Sequence, residues 1–259
     1  CKFATRVQSR LRAAFPLLFL CLFLCLFLCL FLCSLSHFLS LTFLFLSLPD
    51  FLSPSLYAII LSTFIFNGIK EAKLMNGAEA MVKCLAAEGI TRIFGYPGVA
   101  ISPFLDALNQ DASIEHILVR QEQAAGHAAS GYARVTGRPA VCVSSSGPGA
   151  TNLITALATA YADSIPLIAV TGQVNSSLLG RDVFQEADMR GATESFVKYS
   201  YLVRSADEIP HVFKEAFYIA DSGRKGPVLI DIPIDVQQQL LKKNFSYPET
   251  LNMRGYKPS

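Results

Sequence analysis

Glu122 directly follows the apolar run Ile117-Leu118-Val119 and opens a helix-like stretch, Glu122-Gln123-Ala124-Ala125-Gly126-His127-Ala128-Ala129. A carboxylate so placed lies at the carboxyl end of a strand, where open α/β sheets bind their ligands, and it can hold or move a proton there. The helix dipole alone also favours an acid at a helix amino end, so a structural role stands beside the chemical one. Three small-residue bends, Tyr96-Pro97-Gly98, Gly147-Pro148-Gly149 and Gly172-Gln173, likewise follow short apolar runs. Four strand ends would then converge on one edge of a sheet.

The longest of these bends, Ser146-Gly147-Pro148-Gly149-Ala150-Thr151-Asn152, runs from strand into helix. Glycine lets the backbone come close, and free N–H groups at a helix start can hold anions or ring nitrogens. It lacks the third glycine of the dinucleotide fingerprint, where Asn152 stands, and no Gly-Lys-Ser/Thr follows to make a P-loop. A plain tight turn and a ligand site both remain open. Ser144, Ser145 and Ser146, with His127 as base, would suggest a hydrolase, but no Gly-x-Ser-x-Gly elbow surrounds them. His127 is expected to be a packed or capping histidine. Gln185, Glu186, Lys198 and Arg224 read locally as polar and charged side chains facing solvent.

The elements that must position these groups alternate. Strand-like runs fall at 92–96, 116–119, 140–144, 167–171, 199–203 and 228–232, with helical periodicity at 78–88, 103–108, 122–135, 150–162 and 207–220. Short connections between alternating strands and helices predict an α/β fold: a doubly wound, mostly parallel, six-stranded sheet with helices on both faces. Residues 175–195 are polar and without a clean period, and read as an excursion near the site. A domain is expected over 75–240. Residues 241–259, with Pro248, Gly255 and Pro258 and no periodicity, read as a linker to an absent middle domain.

Residues 1–74 are unlike the rest. From Ala13 to Ile69 the only charged residue is Asp50, and Leu-Phe-Leu-Cys recurs four times between Leu18 and Cys33. The apolar run is long enough to span a bilayer, with Lys2, Arg6, Arg10 and Arg12 on its amino side as a signal-anchor would have them. Against a membrane anchor through 13–69 stand the repeat, which looks like translated short-period DNA, and Met75, which immediately precedes the first globular pattern. The expectation is an upstream segment outside the working protein; membrane association follows only if those residues are made.

A net charge of +2 and no basic stripe with interleaved aromatics argue against nucleic acid. Of seven cysteines, only Cys84 and Cys142 lie in the globular part, with no Cys-x-x-Cys and no metal-ligand spacing. They read as buried free thiols in a reducing compartment, which predicts a cytoplasmic protein.

Read together, residues 75–259 resemble the amino-terminal third of acetolactate synthase large subunits, a thiamine-diphosphate family. The matching stretches are Phe94-Gly95-Tyr96-Pro97-Gly98, Arg120-Gln121-Glu122-Gln123, Gly131-Tyr132-Ala133-Arg134, Ser146 to Asn152, Thr171-Gly172-Gln173-Val174, Asp182-Val183-Phe184-Gln185-Glu186, Lys198-Tyr199-Ser200-Tyr201-Leu202-Val203 and Ser222-Gly223-Arg224-Lys225-Gly226-Pro227 before Asp231-Ile232-Pro233. The resemblance implies a pyrimidine-binding domain in which Glu122 hydrogen-bonds N1′ of the aminopyrimidine and favours its imino tautomer, so that acid–base work is relayed through the cofactor. It implies that Tyr96, Pro148 and Asn152 line the aminopyrimidine. Gly98, Ser164, Phe184, Gln185 and Lys198 fall on the substrate approach, and Arg224 on a largely structural flavin (FAD).

The implied substrates are pyruvate and a second 2-keto acid, the implied partners a second copy of the chain and a regulatory small subunit. The family holds Mg²⁺ in a carboxy-terminal domain with a Gly-Asp-Gly…Asn motif; no such motif occurs here, no metal ligand is assigned, and the chain alone is expected to be inactive. Val99 stands where the family has a second glycine, Gln121 replaces a histidine and Asn175 a proline. Other readings of the same pattern are a different thiamine-diphosphate decarboxylase or carboligase, and a non-catalytic membrane-tethered module of the same fold.

Overall fold

Each of six short apolar runs becomes a strand, and all pair in parallel in the order β2-β1-β3-β4-β6-β5. The computed structural model describes residues 74–258; the expectations for residues 1–73 lie outside it. The strands are β1 (Arg92–Gly95), β2 (Glu115–Leu118), β3 (Ala140–Ser144), β4 (Leu167–Gln173), β5 (Tyr199–Leu202) and β6 (Val228–Pro233). In register, Phe94 faces Cys142, Cys142 faces Ala169, and Thr171 faces Asp231.

Period-two alternation divides the central strands between two cores. Val141, Val143, Ile168, Val170, Val228, Ile230 and Ile232 point to one face, under α1 (Gly77–Ala87), α2 (Ser102–Asn109) and α7 (Ile209–Asp221). Ala140, Cys142, Leu167, Ala169 and Leu229 point to the other, under α3 (Glu122–Thr136) and α5 (Ile154–Ala162). The first core is large-residue, with Phe104 and Phe213 fully buried; burying such a ring contributes roughly 1.5–3 kcal/mol. The second is alanine-rich, so α3 and α5 come close: a Cβ on Gly126 would stand 2.4 Å from that of Ala156. Cys84 and Cys142 are buried free thiols, and burial pushes Cys142 up to about 12 and raises Cys84 as well, leaving both unreactive.

Local chemistry fixes the helix ends. Asn76 Oδ1 accepts from the Glu79 N–H at 2.8 Å while Glu79 Oε2 accepts from the Asn76 N–H at 2.9 Å, a capping box that starts α1. Gly137, at φ 70°, ends α3 in the left-handed region and returns its N–H to Ala133 O.

The structure departs from the sequence reading in three places. The helix expected over 150–162 is broken into α4 (Pro148–Thr151) and α5, because α4 ends at Asn152 and α5 starts afresh at Ile154. The 175–195 excursion contains α6 (Met189–Thr193), capped by Asp188, and a 3₁₀ turn, Ser176–Leu178, capped by Asn175. A short α8 (Ile234–Gln238) follows β6. Beyond it, residues 244–258 have no helix or strand, but Phe245, Tyr247, Met253 and Tyr256 pack against the first core. Among the described residues no helix is long and apolar enough to cross a membrane.

Candidate functional site

The strand order places a switch point between β1 and β3: β2 lies outside β1, and β4, β6 and β5 lie beyond β3. α2, which follows β1, packs on one face, and α5, which follows β3, on the other. Their connections therefore part above the carboxyl ends of β1 and β3 and leave a crevice, the place where doubly wound sheets hold ligands.

The segments at the carboxyl ends of β1, β3 and β4 meet around this crevice at close range. A Cβ on Gly98, after β1, would stand 2.4 Å from Ser145 Cβ, after β3, and the Ala100 N–H donates to Ser145 Oγ at 3.3 Å. A Cβ on Gly172, in β4, would stand 2.3 Å from Ala100 O. Gly147, at φ 57°, lies under the 180–188 segment, where a Cβ would stand 2.8 Å from Gln185 O. Glycine at these crossings is what allows the loops to interlock.

Into this frame Glu122 projects from the first turn of α3, half-buried. Its Oε2 accepts a hydrogen bond from Asn152 Nδ2 at 3.0 Å. Its Oε1 lies 3.4 Å from where a Cβ on Gly149 would be, so glycine leaves the carboxylate face open. Ser144 Oγ, fully buried and without a hydrogen-bond partner, lies 3.0 Å from the same point. Tyr96, Pro148 and Phe184 are exposed at the same edge, Phe184 at 87%. His127 is exposed on α3 rather than packed, and no hydrogen bond joins it to Ser144, Ser145 or Ser146, so no nucleophile–base pair forms.

Of the residues singled out in the sequence, Tyr96, Gly98, Glu122, Pro148, Asn152, Phe184 and Gln185 thus belong to the carboxyl edge. Ser164, Lys198 and Arg224 do not join them in this chain. They precede β4, β5 and β6, and in an all-parallel sheet a residue before a strand sits at the opposite, amino edge. There Arg224 Nε donates to Ser164 Oγ at 2.9 Å and Nη2 to Tyr161 O at 3.1 Å, with the guanidinium 5.4 Å over the Tyr161 ring. Lys198 Nζ donates to Ile219 O and, at 2.8 Å, to Ser222 O, closing the carboxyl end of α7.

Sequence reasoning missed two polar groupings behind the site. Glu186 accepts from the N–H groups of Gly180, Arg181 and Val183, and the Gly180 N–H above all holds its carboxyl below the usual range. Asp231, buried in β6, accepts from Thr171 Oγ1 at 2.7 Å and Gln173 Nε2 at 3.0 Å. An acid inside the apolar run 228–232 was the one available signal.

A doubly wound parallel sheet with a carboxylate and glycine-lined bends at its switch point is the architecture of a ligand-binding α/β domain. Comparison with known proteins narrows the class: residues 75–192 match the model of the family described as thiamine pyrophosphate enzyme, N-terminal TPP binding domain. The chain is 50% identical over 187 residues to the acetolactate synthase large subunit of Buchnera aphidicola subsp. Schizaphis graminum, covering 72% of this chain and 33% of that protein. It is 54% identical over 185 residues to the acetolactate synthase of Mycobacterium bovis, covering 71% and 30%. Against the acetolactate synthase isozyme 3 large subunit of Escherichia coli it is 49% identical over 187 residues, covering 72% and 33%. The chain thus spans about a third of the length of these relatives.

Proposed function

We propose that this chain supplies the aminopyrimidine-binding part of a thiamine-diphosphate enzyme of the acetolactate synthase kind, with Glu122 as its proton-handling residue. One observation carries the reading: Glu122 Oε2 is held by Asn152 while Oε1 faces the open Gly149 bend. Glycine and proline backbone, one carboxylate, one amide and the Tyr96 ring at the rim suit a flat heterocycle with ring nitrogens. Bound there, thiamine diphosphate supplies the thiazolium that takes up the electrons of a decarboxylating 2-keto acid. Glu122 holds the proton at N1′ of the aminopyrimidine, Asn152 fixes the direction of the carboxylate, and Tyr96 and Pro148 flank the ring.

In this reading Gly98, Phe184 and Gln185 border the approach of pyruvate and a second 2-keto acid. Ser164 and Lys198 as substrate residues, and Arg224 as a flavin residue, require a second copy or the further length of the relatives to bring a ligand to the amino edge. Mg²⁺ would be held outside this chain, as the resemblance implies. A second catalytic copy, a regulatory small subunit and a cytoplasmic location complete the reading, the last supported by two buried free thiols.

The test is Glu122→Gln in the longer protein carrying this domain. Hydrogen exchange at C2 of bound thiamine diphosphate should slow by about 10²-fold or more, because the carboxylate acts on the cofactor before any substrate arrives. Unaltered exchange would refute the assignment.

A further inference from the structure

The alternation that fills β4 and β6 with apolar residues also places Thr171, Gln173 and Asp231 on one face of the sheet, beside Ala169 and Leu229. All three are almost fully buried, Asp231 and Gln173 at 2% exposure. A carboxylate is expensive in such a place unless every lone pair finds a donor, and here the donors are few and specific. Thr171 Oγ1 serves Asp231 Oδ1 at 2.7 Å, and Gln173 Nε2 serves Oδ2 at 3.0 Å.

The amide does more than satisfy the acid. Its Oε1 accepts from the Val174 N–H at 2.9 Å, which fixes which end of the amide faces the acid, and Nε2 also donates to Ala187 O at 2.8 Å. That carbonyl lies at the end of the 180–188 segment, whose near side is gathered by Glu186 onto the N–H groups of Gly180, Arg181 and Val183. Between these two fixings stand Phe184, exposed, and Gln185, whose φ of 61° is uncommon for a residue with a side chain and whose backbone rests on Gly147. Such a conformation persists only where its surroundings hold it.

We propose that Gln173, oriented by Asp231 and Thr171, is a positioning residue that tethers the 180–188 segment to the sheet and so sets where Phe184 and Gln185 stand over the crevice. Asp231 acts at one remove: it turns the Gln173 amide so that its N–H groups reach both the acid and the loop. The importance of that placement rests on the substrate-approach reading of Phe184 and Gln185 given above; the tether itself does not.

The experiment measures backbone hydrogen exchange over 180–187 and tryptic cleavage after Arg181 in the full 259-residue chain, in the absence of any cofactor. Gln173→Met should speed both by about 10-fold or more while β3 and β4 amides keep their protection. The paired exchange Asp231→Asn with Gln173→Glu restores a carboxyl–amide pair in the core, and at alkaline pH, where the exchanged acid is ionised, it cannot donate to Ala187 O. It should recover the global unfolding midpoint and leave the loop fast. If Gln173→Met does not fold, the paired variant alone decides. Unchanged loop exchange in Gln173→Met, or loop protection recovered together with stability in the paired variant, would overturn the tether. Neither result depends on Glu122, whose own test fails or succeeds separately.

Discussion

Asp231 makes the stability of this domain depend on pH in an unusual direction. Burial pushes its carboxyl from 3.8 up to about 7; the hydrogen bonds from Thr171 and Gln173 pull the other way, and the charge of Asp188 adds to the rise. Because the folded state binds the proton more tightly than the unfolded chain, unfolding free energy falls as pH rises from about 4 to about 7, then levels. At 1.36 kcal/mol per unit, a shift of about three units amounts to about 4 kcal/mol, a large share of the roughly 5–15 kcal/mol that holds a domain together.

Asp231→Asn cannot titrate, so the difference in stability between parent and variant should move by about 4 kcal/mol in the variant's favour between about pH 4 and about pH 8. At the acidic end the two should be close, because a protonated carboxyl and a side-chain amide each offer one acceptor, for Gln173 Nε2, and one donor, for the Thr171 hydroxyl oxygen. The two curves should therefore diverge as pH rises. The chain has no tryptophan, so urea unfolding is best followed by far-ultraviolet circular dichroism, at several pH values across that range. Other titrating groups cancel in the difference. A parent-minus-variant value constant to within about 1 kcal/mol across that range would refute a raised Asp231.

Two further substitutions test the frame around the crevice. Gly172→Ala would put a Cβ 2.3 Å from Ala100 O, 2.5 Å from Ala100 C and 2.9 Å from Ile101 N, all backbone with little freedom to yield; a loss above about 3 kcal/mol, or failure to fold, is expected in soluble yield and unfolding midpoint. Asn76→Ala removes the capping box of α1 and should cost about 1 kcal/mol, read as a lower urea midpoint at unchanged slope.

The strands were legible because both faces of the sheet are covered: 140–144 and 167–171 are unbroken small or apolar runs bounded by turn residues, and they became β3 and β4 with only the far end of β4 extended. The convergence on Glu122 was legible too, since each bend follows a strand and parallel strands share a carboxyl edge. The same rule read backwards would have set Ser164, Lys198 and Arg224 at the other edge, because each precedes a strand. The break between α4 and α5 was hidden, since 150–162 contains no proline or glycine to end a helix. The tether was hidden for a different reason. Gln173 and Ala187 are close in sequence, but the acceptor that orients the Gln173 amide is Asp231, in a strand 58 residues further on.

That distribution says something about how such a site is held. The loops around Glu122 meet through glycine backbone, at Gly98 on Ser145, Gly147 on Gln185 and Gly172 on Ala100, so they cannot slide past one another without backbone clashes. Glycine contacts alone specify closeness but not direction, since they offer no hydrogen bond to choose one approach over another. Direction is added by a few polar side chains: Asn152 for the Glu122 carboxylate, Ser145 for the Ala100 N–H, and Gln173 for the carbonyl of Ala187. A crevice organised in this way needs little rearrangement when a ligand enters, so less of the binding energy is lost to ordering it. The buried charge of Asp231, unfavourable for the fold above about pH 7, is retained where it keeps one of those directions fixed.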